Sequence, residues 1–295
     1  MINLGAVGVW TFAFDQMPIG AVRDTAAEIE ALGYGAIWIG EAVGRESLTH
    51  AALLCAATER IVVASGIARV GERSPRVMHA AANALAEASG GRYLLGLGGS
   101  NQLDGDLGAV AAMAGYLDQY HAAPYIAPLA NEPPPVILGA QGPAMLRLAA
   151  ERTQGTHTFL VTPEHTAWAR DVLGPRPILA VEQAVITETD PTIARKLARD
   201  HLAFYLQLPH FQANLARAGF EACDWANGGT DQLIDATVAW GDPDTITHRV
   251  QAHLDAGADH VCVQPIEAGP GIGTETLRRL APALTALATR RHNGL

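Results

Sequence analysis

Val136-Ile137-Leu138, running into Gly139-Ala140-Gln141-Gly142-Pro143, decides the fold. Three apolar residues feed a glycine-rich turn, and the sequence from 142 to 152 then has helical spacing. A strand, a tight turn and a helix in that order form the repeating unit of α/β proteins. Pro143 suits the first helical turn, where its missing N–H would have no partner in any case. The turn also carries chemistry, because backbone N–H groups at a helix N-terminus form an anion site. The plainer alternative is a turn that only ends the strand.

Working outward, the unit recurs along the whole chain. The sequence predicts strands over 3–10, 36–39, 61–65, 93–97, 136–138, 156–161, 178–186 and 260–264. Helical spacing falls between them, over 18–32, 48–58, 74–89, 109–122, 142–152, from Pro163, 191–208, 245–256 and 277–290. Eight strand–helix units without a break in composition imply an α/β fold, a (β/α)8 barrel, as one domain over 1–295. A doubly wound open sheet is the alternative that periodicity leaves open. Segments 98–135 and 208–231 are longer than ordinary connections, so loops or extra helices are expected over the barrel mouth.

Composition bounds the partners. The 295 residues are 49% hydrophobic and 17% charged, enough for one large core, and carry a formal charge of −10. A chain this acidic repels nucleic acid and anionic membrane, which leaves a small-molecule substrate as the expected partner. Cys55, Cys223 and Cys262 are far apart, which argues against a disulfide framework or structural zinc. The first residues, MINLGAVGVW, lack a basic leader, and no apolar run reaches about 18 residues. A cytoplasmic location is expected.

In a barrel, function gathers where the strands end. Those ends read Trp10 to Phe14, Gly40-Glu41, Ser65-Gly66-Ile67, Gly98-Gly99-Ser100-Asn101, Gly139-Ala140-Gln141, Thr162-Pro163, Thr187 and Gln264-Pro265. They hold glycine, amide and little charge. No His–His–carboxylate set appears, so no metal is expected, and no lysine stands ready for a Schiff base. Backbone amides, small residues and an aromatic suit a large planar cofactor with a phosphate tail.

Several side chains are candidates for chemistry. Glu41 is the best-placed carboxylate, able to orient a ring or relay a proton, or else a structural acid under the mouth. His157 is a possible general acid or a hydrogen-bonded barrel histidine. Glu182 and Gln183 lie in an apolar strand; one must point inward, as a satisfied polar pair or as a substrate contact. Trp10 and Phe12 either cover a ring or fill the barrel. His165, in a first helical turn, is expected on the surface. His201, His210 and His253 show no metal-like spacing and receive no role.

The chain resembles the bacterial luciferase-like superfamily, and within it the coenzyme F420-dependent oxidoreductases. The resemblance lies in an ordered set of segments: 33–41 (GYGAIWIGE), 64–67 (ASGI), Ser74-Pro75, 91–98 (GRYLLGLG), 139–143 (GAQGP) with 148–152 (LAAER), 160–164 (LVTPE) and 256–261 (AGADHV). Segments His157 to His165 and Ala239-Trp240-Gly241-Asp242 are similar to an actinobacterial-type F420 subgroup. The resemblance implies a TIM barrel, usually dimeric, with a deazaflavin in its mouth. It implies a strand-three bulge at Ser65, Gly66 and Ile67, often with a non-prolyl cis peptide, backing the ring. Gly98, Gly99, Ser100 and Asn101 would flank the ring, and Gly139, Ala140, Gln141, Gly142, Pro143 and Ala144 would give backbone N–H groups to the phosphate. Two positions depart from the pattern. Ala42 stands where relatives often carry histidine, and Asn101 where some carry a carboxylate. The cofactor site is retained; the usual acid–base residues are not. The implied activity is hydride transfer between F420 and a small organic substrate. The alternatives are an FMN-dependent two-component flavin monooxygenase and a non-catalytic barrel that only binds a phosphate ligand.

Overall fold

A computed structural model describes residues 2–99, 105–269 and 271–288, with backbone alone for 105–107. Ser100 and Asn101, both expected beside the cofactor, lie outside the described residues.

Ten strands are described: β1 (Val7–Thr11), β2 (Ala36–Ile39), β3 (Val62–Ser65), β4 (Ala68–Arg69), β5 (Tyr93–Gly98), β6 (Val136–Gly139), β7 (Gly155–Thr158), β8 (Ile178–Ile186), β9 (Ala239–Trp240) and β10 (His260–Pro265). All pairings are parallel, in the order β10-β1-β2-β3-β5-β6-β7-β8, and β10 closes the ring by pairing with β8 as well. The expected eight-stranded barrel is therefore closed, and the open doubly wound sheet is excluded. The two-residue β4 and β9 extend the rim beside β5 and β8.

One irregularity sits in this ring. Ala64 pairs with Leu94, but Ala68 pairs with Leu97. Four steps on one strand thus match three on its neighbour, which is a one-residue bulge. It falls at Gly66-Ile67, whose peptide bond is cis.

The strands alternate between two buried faces. Val9, Ile37, Val63, Leu95, Leu138 and Val181 pack outward against the helices. Trp10, Trp38, Val62, Leu94, Ile137, Ala180 and Cys262 fill the barrel. Gly8 makes room there for His260, since a Cβ would lie 2.6 Å from the imidazole Nε2. Trp38 Nε1 donates to that nitrogen at 3.0 Å, and His260 Nδ1 donates to the Gly5 carbonyl at 2.9 Å, which fixes a neutral tautomer.

Helix starts follow a local rule. Ser74, Thr162, Asp190 and Asp242 each precede a proline, and each accepts a hydrogen bond from an amide of the first turn. Such a cap contributes about 1 kcal/mol. Several expected boundaries shift. The helix from Pro191 ends at Leu202, and segment 205–237 forms short helices, of which those over 205–217 lie at the mouth. The last described helix ends at Leu284. The sixth barrel strand, β7, stops at Thr158, short of 161, because Leu160 turns into the left-handed region with φ 55°.

Among the described residues, no helix is long and apolar enough to cross a membrane.

Candidate active site

A cavity of about 720 Å³ lies over the C-terminal ends of the strands, roofed by segment 204–217. Its first wall is the bulge. Gly66 N donates to the Ile39 carbonyl at 2.7 Å, and the Gly66 carbonyl accepts from Trp10 Nε1 at 3.0 Å. The Ile67 side chain fills the space between β5 and β6. A Cβ on Gly98 would sit 2.8 Å from it, and one on Gly139 would sit 3.1 Å away. Glycine at the two strand ends is what lets Ile67 stand there. Ser65, expected to touch the cofactor, lies behind this wall, wholly buried and hydrogen-bonded to Ser47 Oγ and the Tyr93 hydroxyl.

Glu41 lines the cavity, but its oxygens are committed. Arg73 grips both of them, Nη1 reaching Oε2 at 2.9 Å. The Arg69 amide donates to Oε2 at 2.6 Å and the Ser47 amide to Oε1 at 3.0 Å. Burial alone would push the Glu41 carboxyl up, but Arg73 and the two amides together hold it below the usual carboxylate range. Glu41 is thus an ionised brace that ties the end of β2 to Arg69, just past the bulge.

The second wall is the Gly139–Pro143 turn. Helix Pro143–Arg152 starts here without a side-chain cap, so its first-turn amides lack intrahelical acceptors. A relay of polar side chains holds the turn. Gln141 Nε2 donates to the Phe159 carbonyl, Asn214 Nδ2 donates to Gln141 Oε1, and Arg217 Nη1 donates to Asn214 Oδ1. Arg217 thereby hangs beside Gly142, where a Cβ would meet its Nη2 at 3.8 Å. His165 is a correction: it is 7% exposed rather than on the surface, and its Nε2 lies 3.1 Å from the Gln141 carbonyl. The turn needed a buried donor behind it, which first-turn position alone does not reveal.

An aromatic wall completes the cavity. Trp10 packs edge-on against Phe12 with centroids 4.7 Å apart, and against Phe159 at 5.0 Å. Phe159 continues to Tyr205 and Phe211 of the roof. His157 lies on the floor, stacked on Trp38 at 4.7 Å, with neither ring nitrogen partnered. Burial first, and His260 second, push its pKa down to about 3, so it is neutral. Of the pair on β8, Gln183 faces outward and bonds His253 Nε2 at 3.0 Å. Glu182 faces inward, beneath the cavity rather than in its lining.

The sequence reading missed Arg69, Arg73, Asn214, Tyr205, Phe211 and Arg217, and gave His210 no role although it lines the cavity. His210, Phe211, Asn214 and Arg217 fall in segment 208–231, whose unusual length was their signal; Arg69 ends the two-residue β4, which the sequence did not show as a strand. Among the described residues, no cluster of His, Cys, Asp and Glu could hold a metal ion. With Glu41 neutralised by Arg73, and Arg69 3.9 Å from Glu72, Arg217 is the main cation on the described lining, which favours an anionic ligand.

The profile of the luciferase-like monooxygenase family matches residues 6–108 and 108–260, and the chain belongs to that family. No curated protein matches it. Among solved structures, it is similar to the F420-dependent tetrahydromethanopterin reductase of Methanopyrus kandleri (TM-score 0.68, 17% identity, covering 95% of this chain and 98% of that one). An F420-dependent secondary alcohol dehydrogenase, in complex with an F420–acetone adduct, superposes with TM-score 0.72 at 12% identity, covering 96% and 99%. The oxygenating constituent of 3,6-diketocamphane monooxygenase from Pseudomonas putida, in complex with FMN, gives 0.72 at 15%, covering 95% and 98%. At these identities the likeness is one of fold. The class is thus an oxidoreductase or monooxygenase barrel of the luciferase-like type.

Proposed function

We propose that the protein is an oxidoreductase that moves a hydride between coenzyme F420 and a small organic substrate. The observation that carries this reading is the continuity of two walls. A flat face of Ile67, Gly98 and Gly99 runs into the amide-lined turn at Gly142, with Arg217 beside it. A planar ring fits the first, where Gly98 leaves room for the Ile67 side chain to stand as a wall, and a phosphate fits the second. Bound there, a deazaflavin supplies two-electron hydride chemistry at a carbon centre. The chain's own part is to hold the ring against the bulge and to anchor the tail through Arg217. Trp10, Phe12, Phe159 and the roof shield the reacting face from water. His157, a neutral imidazole on the cavity floor, keeps one donor and one acceptor nitrogen buried there.

The segments that resemble the F420 subgroup, together with the two F420-dependent neighbours, support F420 over FMN. The FMN-bound neighbour supports the second reading, a flavin monooxygenase using the same wall and turn. Fluorescence titrations with F420 and FMN decide between them: binding of F420 at least tenfold tighter is the expected result, and tight FMN binding with none of F420 overturns it. A homodimer is expected from the same resemblance, and light scattering on the purified protein checks it.

A further inference from the structure

Hydride delivery to the carbon of a C=O or activated C=C pushes an electron pair onto the adjacent atom, which then needs a proton. Resting on the reading above, neither earlier candidate stores one. Glu41 is ionised and held by Arg73, and His157 is a neutral imidazole.

We propose that Glu182 is the proton reservoir of this site, a carboxylic acid kept inside the barrel that passes its proton through an ordered water and the His157 imidazole to the cavity.

Three unpartnered polar groups meet under the cavity floor. They are Glu182 Oε1, both ring nitrogens of His157, and Gln264 Oε1. They come from the neighbouring strands β7, β8 and β10. The register fixes their relation. His157 is level with Ala180, so Glu182 stands one inward position further along the adjacent strand. Glu182 is level with Cys262, so Gln264 is the next inward position on the other side. On strands about 4.8 Å apart, with two residues of rise at about 3.3 Å each, such diagonal neighbours lie about 8 Å apart, close enough for long side chains and one water to bridge their polar ends. Orphaned buried groups of this kind are where proteins hold ordered water, each water making about three hydrogen bonds.

The backbone is bent to hold this acid. Leu160 takes φ 55°, a left-handed conformation unusual for a non-glycine residue. That turn aims its N–H at Glu182 Oε2, at 3.1 Å. One carboxyl oxygen is thereby fixed as an acceptor, and the other is free to carry the proton toward the water. Glu182 acts on Cys262 of β10 and Tyr205 of the roof, and the register places His157 and Gln264 one inward position away on either side. None of them is a cation. Burial pushes the Glu182 carboxyl up to about 8, opposed only by the Leu160 amide. Its reach extends to the cavity lining: after burial, Glu182 is what raises the Tyr205 hydroxyl.

The step balances. The reductant is the reduced deazaflavin or flavin, which gives two electrons as hydride to the substrate carbon. The π bond to the neighbouring atom breaks, and that atom takes the proton from the His157 N–H. His157 takes one in turn from the water, the water from Glu182, and the resulting carboxylate is reprotonated from solvent.

Glu182→Gln keeps the shape and the acceptor for Leu160 but carries no acid. Infrared spectra of the apoprotein with labelled glutamate should show a protonated carboxyl at pH 6 that titrates near pH 8 and is missing from the variant. Absence of that band in the wild type overturns the proposal, whatever cofactor the protein uses. With F420, binding should stay within twofold, hydride transfer should slow by about 100-fold, and the fall in rate above pH 8 should vanish. Glu182→Asp should retain that fall, as a merely structural role would not require. A variant that binds F420 normally and keeps the wild-type rate and pH profile also overturns it. If neither F420 nor FMN binds the wild type, the function reading fails, and the carboxyl band alone then supports or overturns the reservoir.

Discussion

Glu41 and Arg73 form a two-pronged ion pair behind the bulge that carries Ile67, with Arg73 Nη1 2.9 Å from Glu41 Oε2. The same carboxylate accepts from the Arg69 amide, so one side chain fixes the chain just past the bulge.

Replacing Glu41 by Gln should therefore reduce stability first and chemistry second. The expected loss is about 3 kcal/mol, the low end for a broken buried pair. Glu46, 2.6 Å from Arg73 Nη2, still compensates part of the guanidinium. The Glu41 carboxyl is held below its ordinary value, so its contribution is present above the unfolded pKa and lost as pH falls through the folded one. Urea melts of wild type and variant should converge in acid. A variant with wild-type melts and no turnover would restore Glu41 as a proton relay.

The glycines beneath Ile67 predict a second result. Gly98→Ala places a methyl 2.8 Å from the Ile67 side chain, which should cost about 1–3 kcal/mol and displace the ring-facing wall. Adding Ile67→Ala should recover most of the stability. Paired melts with a cofactor titration separate the two effects; equal losses in the single and double variants would contradict this packing.

Arg217 should act on the phosphate alone. Its removal as Arg217→Ala takes away one charge-assisted contact of about 1.5–3 kcal/mol, or roughly a 10–100-fold loss of affinity for a phosphorylated cofactor. Affinity for the same ring system without phosphate should be unchanged. Calorimetry with FMN against riboflavin, or F420 against its phosphate-free core, reads the difference.

Buried histidines predict acid lability. Burial pushes His50, His201 and His260 down to about 4, and His157 and His253 down to about 3. Each binds its proton more readily when unfolded, so stability is whole above about pH 6.5 and falls as pH drops toward the folded values. The slope approaches about 1.4 kcal/mol per pH unit for each fully coupled histidine. Melting temperature followed from pH 8 to 4 should show a steep decline below 6.5, and a flat profile would contradict the burial of these rings.

Much of this was readable in the sequence. The strands over 36–39 and 178–186 have the expected boundaries. Glycines 66, 98, 139 and 142 stand at the cavity because a strand end and a turn leave local marks. The roof left none. Asn214 lies 73 residues from the Gln141 it holds, and no periodicity links them. The early end of β7 was equally hidden, since Leu160 turns to meet a carboxylate 22 residues away.

The alternation of apolar runs and helices by itself determined a parallel α/β fold, because each element must bury a face and successive parallel strands need a helix between them; closure into a barrel rather than an open sheet came with the pairing of β10 to β8. The glycine-rich spacing marked Gly139 to Pro143 as a candidate anion turn. Phase was left to the tertiary structure. A barrel strand is buried on both faces, so an apolar run does not say which of Glu182 and Gln183 points inward. Closure of β10 onto β8 set that phase, sending Gln183 to His253 and Glu182 to the floor of the cavity.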